Sequence, residues 1–294
     1  PVSRIASPSH DIKVAYQGSS SATVTLDPSD RQAGNRDYVL RYRLDGDKIQ
    51  TGLLLSQGGK ENYFLLMLQP PKRVSASAIP AREYIFIVDV SGSMHGFPLD
   101  ISKRLLKDLI SGLKATDRFN VLLFSGGSAV LAEESLPATP EHISQAIGFI
   151  DHQQGGGGTE LLPAMQRALA LKQAAGCSRT LVIATDGYVS VERETFDLIR
   201  RNLGQANLFA FGIGSSVNRH LIEGMAHVGK GEPFIITNPE DAPVKAERFR
   251  HLIASPMLTH VRLTVSGFDA YDIEPENIPD VLSERPVTVF GKWR

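Results

Sequence analysis

The sequence predicts an α/β fold: a doubly wound, mostly parallel sheet flanked by helices, inserted into an all-β sandwich built from both ends of the chain. Three observations predict it. Residues 1–80 hold only short, often alternating apolar segments separated by Gly, Asp-Pro and Asp-Gly-Asp, as antiparallel strands with tight turns do. From residue 81 onward, apolar runs of strand length alternate with segments whose apolar residues recur at three and four. Beyond residue 255 the β-only pattern returns. The expected division is a β-sandwich from residues 1–80 plus 256–294 and an α/β domain over 81–255.

Taken in order, the N-terminal part reads as strands at "DIKVAYQG", "SATVTLD", "DYVLRYRL", "TGLLLSQ" and "NYFLLMLQPP", with no helical periodicity among them. "EYIFIVDV" (83–90) is a strand whose unbroken apolar run fits burial on both faces. Leu99, Leu105, Leu106, Leu109, Ile110 and Leu113 then mark an amphipathic helix. "RFNVLLFSG" and "AVLAEESL" are two strands close enough to form a hairpin. Helices follow at "PEHISQAIGFIDH" and, after a run of glycines, at "ELLPAMQRALALKQA". "RTLVIATDG" and "NLFAFGIG" are buried strands with the helix "ETFDLIRRNL" between them. "NRHLIEGMAHVG" is a helix, "EPFIIT" a short strand and "PEDAPVKAERFRHLIAS" the last helix. In the tail, "MLTHVRLTVSG" and "PVTVFGKWR" are strands on either side of a Pro-rich connection.

Composition removes several function classes. The 294 residues can bury a sizeable core, as one large domain or two. Lys and Arg number 31 against 32 Asp and Glu, so no basic footprint points to nucleic acid or an anionic membrane. No apolar run approaches the length of a transmembrane span. The single Cys177 excludes an intrachain disulfide and a cysteine-rich zinc site. The chain starts at Pro1 without a secretory signal, and is expected to be a processed product or a piece of a longer protein.

In doubly wound sheets, ligands bind outside the carboxyl ends of the strands, where the strand order reverses. The residues that follow each buried strand therefore matter most. "YIFIVDVSGSMHG" (84–96) runs out of a buried strand into Asp89, Ser91 and Ser93. "LVIATDG" ends in Asp186, and the glycine run 155–158 ends in Thr159 at the entrance to a helix. Two carboxylates and three hydroxyls would share one rim. That all-oxygen set, without His or Cys, suits a hard cation: Mg²⁺, with Mn²⁺ or Ca²⁺ as alternatives. The carboxylates balance one divalent charge, whereas hydroxyls are weak neutral donors, so the cation stays electrophilic. A carboxylate from outside would fill its open position, and the expected partner is a protein presenting an Asp or Glu.

Each piece has a plain structural alternative. Asp and Ser after a strand commonly form turns, Thr159 would serve as a helix N-cap, and Asp186-Gly187 would serve as a turn. The combination, each piece at the end of its expected element, is what sets the stretch apart. On these residues, 84–254 resembles a von Willebrand factor type A domain with its metal-ion-dependent adhesion site intact. The resemblance implies a Rossmann-like fold and a metal held by Asp89, Ser91, Ser93, Thr159 and Asp186, with a ligand carboxylate completing the octahedron. "SPSHDIKV", "NRDYVLRYRL" and the stretch from "GFDAYDIEP" to "PVTVFGKWR" are similar to inter-alpha-trypsin inhibitor heavy-chain-like proteins, bacterial ones above all. This implies a non-enzymatic, metal-dependent adhesion module in an extracellular, cell-surface or periplasmic setting. It also implies that the N-terminal part of the module preceding the type A domain is missing here.

Other chemistries fit less well. A dinucleotide-binding enzyme would place G-x-G-x-x-G after the first α/β strand, where "DVSGSMHG" brings an aspartate. "GGGGTE" has no P-loop lysine, and neither "VSGSM" nor "FSGGS" is a G-x-S-x-G nucleophile turn. The alternative from another class is a Mg²⁺-dependent phosphoryl-transfer enzyme with Asp89 as nucleophile. No second aspartate stands two residues on, and no lysine partner is evident. His95 and His152 lie near the rim and read as solvated, Cys177 as a partly buried small side chain, and Met94 as packing under the loop.

Overall fold

Strands from the two ends of the chain pair with each other, and a parallel sheet forms from the sequence between them. In the computed structural model, the residues described are 2–18, 21–29, 34, 37–44, 49–70, 81–204, 206–253, 256–258, 261–275, 278–282 and 286–294. The N-terminal part forms β1 (Val2–Ala6), β2 (Ile12–Tyr16), β3 (Ala22–Leu26), β4 (Arg41–Leu44), β5 (Gln50–Ser56) and β6 (Asn62–Gln69). There follow β7 (Arg82–Asp89), α1 (Phe97–Ser111), β8 (Arg118–Phe124), β9 (Ser128–Val130), β10 (Leu136–Pro137), α2 (Pro140–Asp151) and α3 (Leu161–Ala170). Next come β11 (Ser178–Thr185), α4 (Glu192–Asn202), β12 (Asn207–Ile213), α5 (Arg219–Val228), β13 (Lys230–Ile236) and α6 (Ala242–Ile253). The tail supplies β14 (Pro256–Leu258), β15 (Ala270–Glu274), β16 (Val281–Leu282) and β17 (Val287–Trp293).

The central sheet has the order β10-β8-β7-β11-β12-β13, with β9 also paired to β8. β8, β7, β11, β12 and β13 run parallel, and the short β9 and β10 are antiparallel. Every residue of β7 is buried, and its two faces serve two different cores. Tyr84, Phe86 and Val88 pack with Leu105 and Leu106 of α1, Ile150 of α2 and Phe249 of α6. Ile85 and Ile87 pack with Met165 of α3, Ile199 of α4 and Ile222 of α5. Each such side chain contributes about 1.5–3 kcal/mol by leaving water. The helix starts are set locally as well. Thr139 caps α2 by accepting the His142 N–H at 3.3 Å, and Asn218 caps α5 by accepting the Leu221 N–H at 3.1 Å.

Outside this sheet the described strands form separate antiparallel sheets. β1 pairs with β4, β2 with β3 and β14 with β16, while β15-β17-β6-β5 is a four-stranded sheet. In that sheet β17 of the C-terminal end lies against β6 of the N-terminal end, from Val287↔Leu68 to Trp293↔Asn62. Phe64, Val287 and Val289 are buried on one of its faces. The tail is also tied to the amino end of the parallel sheet. Asp280 Oδ2 accepts from Ser178 Oγ at 3.0 Å and from Asn207 Nδ2 at 2.9 Å, and Leu282 enters the α1–α6 core.

Several expectations are corrected. "AVLAEESL" is not one strand but the fragments β9 and β10, because the Asn120 amide takes over the ladder. Its Nδ2 donates to Ala132 O at 2.8 Å and its Oδ1 accepts the Ala132 N–H at 3.3 Å. α3 stops at Ala170 rather than near 174, since the following carbonyl and amide have other partners. Arg179 Nη1 donates to Leu171 O at 2.6 Å, and Glu83 Oε2 accepts the Ala174 N–H at 3.2 Å. Among its described residues, "MLTHVRLTVSG" yields only β14. Residues 261–266 keep their alternation, with Val261 and Leu263 packed on the Phe64 cluster, but are not strand-paired. β1, β15 and β16 had not been expected. The boundaries placed at 80/81 and 255/256 adjoin 71–80 and 254–255, which lie outside the described residues.

Candidate functional site

Numbered along the chain, the five parallel strands stand in the order 2-1-3-4-5, so the winding reverses between β7 and β11. Both strands bring a carboxylate to that point: Asp89 closes β7, and Asp186 follows the last residue of β11. Asp89 is fully buried, with Oδ1 accepting the Ser91 N–H at 2.9 Å and Oδ2 accepting from Thr185 Oγ1 at 2.6 Å. Burial pushes its pKa above the ordinary carboxylate value. The Ser91 and Thr185 hydrogen bonds pull it back, and the Asp186 charge adds to the rise. Among the described residues, no positive charge compensates a carboxylate so placed.

The two serines leave β7 through a 3-10 turn, Gly92–Met94, under which Met94 is fully buried. Ser91 Oγ lies 3.2 Å from Ser93 Oγ, the first buried and the second exposed. The glycine run is stitched to this turn by backbone alone. The Gly92 N–H donates to Gly157 O at 3.1 Å and the Gly156 N–H to Val90 O at 3.0 Å. That stitching holds the glycine run against the turn, and half-buried Thr159 follows the run directly. The N-cap of α3 is Glu160, which makes no side-chain cap bond, so Thr159 is not spent on helix capping. Asp186 does make a turn: its Oδ1 accepts the Tyr188 N–H at 3.0 Å, across Gly187 at φ +73°. A carboxylate has room for about four hydrogen bonds or ligands, so this turn does not exhaust Asp186.

Among the described residues, no cluster of three or more His, Cys, Asp or Glu could hold a metal ion. A cation at this rim would therefore rest on two carboxylates and the hydroxyls of Ser91, Ser93 and Thr159. This oxygen-only donor set fits a hard cation, and a positive ion would offset the burial and mutual repulsion of the aspartates. His95 and His152 are exposed, and each turns Nδ1 toward a carbonyl, of Gln154 and Gly148 respectively.

A family profile for the von Willebrand factor type A domain matches residues 82–233, just over half of the chain. The chain belongs to that family. A von Willebrand factor A domain-containing protein of Dictyostelium discoideum is 24% identical over 303 aligned residues, which cover 99% of this chain and 14% of that protein. Inter-alpha-trypsin inhibitor heavy chain H3 of Bos taurus is 29% identical over 269, covering 87% of this chain and 29% of that one. The chain thus spans less than a third of these relatives' length. Among solved structures, a von Willebrand factor type A protein from Catenulispora acidiphila superposes with a TM-score of 0.62 at 15% identity, over 86% of this chain and 66% of that one. At that identity the likeness shows the fold alone.

In this type A domain, one contributor had not been singled out from sequence. Thr185 donates to Asp89 and accepts the Gly187 N–H at 2.9 Å, so it ties the ends of β7 and β11 together. Its signal is a hydroxyl closing an otherwise apolar strand directly before an aspartate. Type A domains commonly serve as protein-interaction modules, and a rim of carboxylates and hydroxyls at the switch point is consistent with that use.

Proposed function

We propose that the chain is a metal-dependent protein-binding or adhesion module in which Asp89, Ser91, Ser93, Thr159 and Asp186 hold Mg²⁺, or Mn²⁺ or Ca²⁺, and a partner's Asp or Glu carboxylate completes the site. The observation that carries this reading is the pair of carboxylates at the switch point, with Asp89 fully buried beside Asp186. An extracellular, cell-surface or periplasmic setting belongs to the same proposal. So does the division into a type A domain over 81–255, inserted between strands from 1–80 and 256–294. Among the described residues, no helix is long and apolar enough to cross a membrane. The test is binding of an acidic peptide library in Mg²⁺, in Mn²⁺ and in EDTA. Retention that needs both the divalent ion and the peptide carboxylate supports the reading; retention in EDTA overturns it.

A further inference from the structure

We infer that the cleft beside Asp186 is a side-chain subsite that reads the residue flanking the partner's carboxylate, and that it selects an aromatic one. This rests on the acidic-capture reading above. The cleft, about 480 Å³, lies between two loops at the carboxyl ends of neighbouring strands, residues 187–190 after β11 and 216–218 after β12. It shares a wall with the candidate site. Asp186 Oδ1 accepts the Tyr188 N–H at 3.0 Å, and the Asn218 N–H donates to Asp186 O at 3.0 Å. An extended segment advances roughly 3.3 Å per residue, so the neighbour of a carboxylate held at Asp186 reaches a cleft that begins on the same loop.

The lining decides the chemistry. None of its side chains carries a charge. An acidic neighbour would lose water there beside the carboxylates of Asp186 and Glu192, whereas an apolar one gains by burial. The Asn218 amide is already engaged, donating from Nδ2 to Glu192 Oε1 at 3.0 Å and accepting the Leu221 N–H at Oδ1 at 3.1 Å. Val189 and Val217 are half-buried walls, and the Tyr188 ring stands 73% exposed at the mouth. A large aromatic surface displayed beside a binding rim marks an interaction surface, and ring pairs gain more than their buried area alone.

The test uses labelled tetrapeptides in Mg²⁺, with one Asp flanked on either side by Phe or Ser, and Asp→Asn controls. The wild-type chain should bind the Phe peptides about tenfold more tightly than the Ser peptides. Tyr188→Phe should keep that preference, while Tyr188→Ala and the cleft-filling Ser216→Trp should abolish it. Tyr188→Ala should still show the wild-type melting response to Mg²⁺, because Asp186 meets the backbone of residue 188 and not its ring. Equal binding of Phe and Ser peptides, or a preference that survives both Tyr188→Ala and Ser216→Trp, overturns the subsite. A preference unchanged in the Asp→Asn peptides sinks the acidic-capture reading and leaves the cleft standing. No binding of any peptide to the wild type in Mg²⁺ overturns both.

Discussion

At the scale of single residues, Asp89 and Glu83 sit at opposite ends of β7, both with no exposed surface and with contrasting partners. Glu83 is compensated: it accepts from Arg179 Nε at 2.8 Å, Arg179 Nη2 at 3.0 Å and Ser135 Oγ at 2.5 Å. Glu83→Ala should cost about 3–5 kcal/mol in urea unfolding, because it leaves the Arg179 charge buried without a partner. Among the described residues, Asp89 has hydrogen-bond partners but no Lys or Arg partner, and Asp186 opposes it. Asp89→Asn keeps the shape while removing the charge, so in EDTA the variant should melt no lower than the wild type. In excess Mg²⁺ the order should reverse. A ligand bound only to the native state at a hundred times its Kd adds about 2.7 kcal/mol, which for a chain of this size is a rise of roughly 4 °C. The variant should lose that rise. Coincident wild-type melting curves in EDTA and Mg²⁺ would rule out the cation.

At the scale of elements, the crossing of α4 and α5 depends on a missing side chain. A Cβ on Gly224 of α5 would collide with the ring of Phe196 of α4. Alanine at a helix position normally gains about 1 kcal/mol over glycine, but overpacking costs about 1–3 kcal/mol. Gly224→Ala should therefore lower the urea midpoint, and a raised midpoint would mean that the two helices separate freely. The same scale explains what was legible in the sequence. β7, β11 and α1 were readable because one periodicity runs through each, and Asp89 and Asp186 were readable because each ends such a run. β9 and β10 were not, since the Asn120 amide that breaks their ladder lies on another strand. β15 and β16 were hidden because their pairing partners, β17 and β14, are set by tertiary contact rather than by local pattern. Thr185 was passed over because its role appears only when β7 and β11 stand side by side.

At the scale of the whole molecule, β17 is the seam. On one side it pairs with β6 and on the other with β15, and Val287 and Val289 are buried beneath it. Deleting residues 1–70 removes β5 and β6, and leaves β17 as an open edge beside an uncovered apolar face. Such an edge is a template for pairing between chains, so the piece should elute as soluble aggregates in size-exclusion chromatography. Trimming the tail as well, to 81–255, removes that edge and should restore a monomer, because both cores of the central sheet are built within those residues apart from Leu282. That monomer should be less stable than the same sheet in the intact chain. It lacks Leu282, and it leaves Ser178 and Asn207 without the Asp280 carboxylate. Asp280→Ala in the intact chain isolates the polar part of that loss. Leaving two buried donors without their acceptor costs about 1–3 kcal/mol per group, and should lower the urea midpoint without changing the monomeric state. If residues 71–294 stay monomeric with the tail protected from proteolysis, the strands from the two ends do not form one folding unit. The type A domain would then carry its tail independently of β5 and β6.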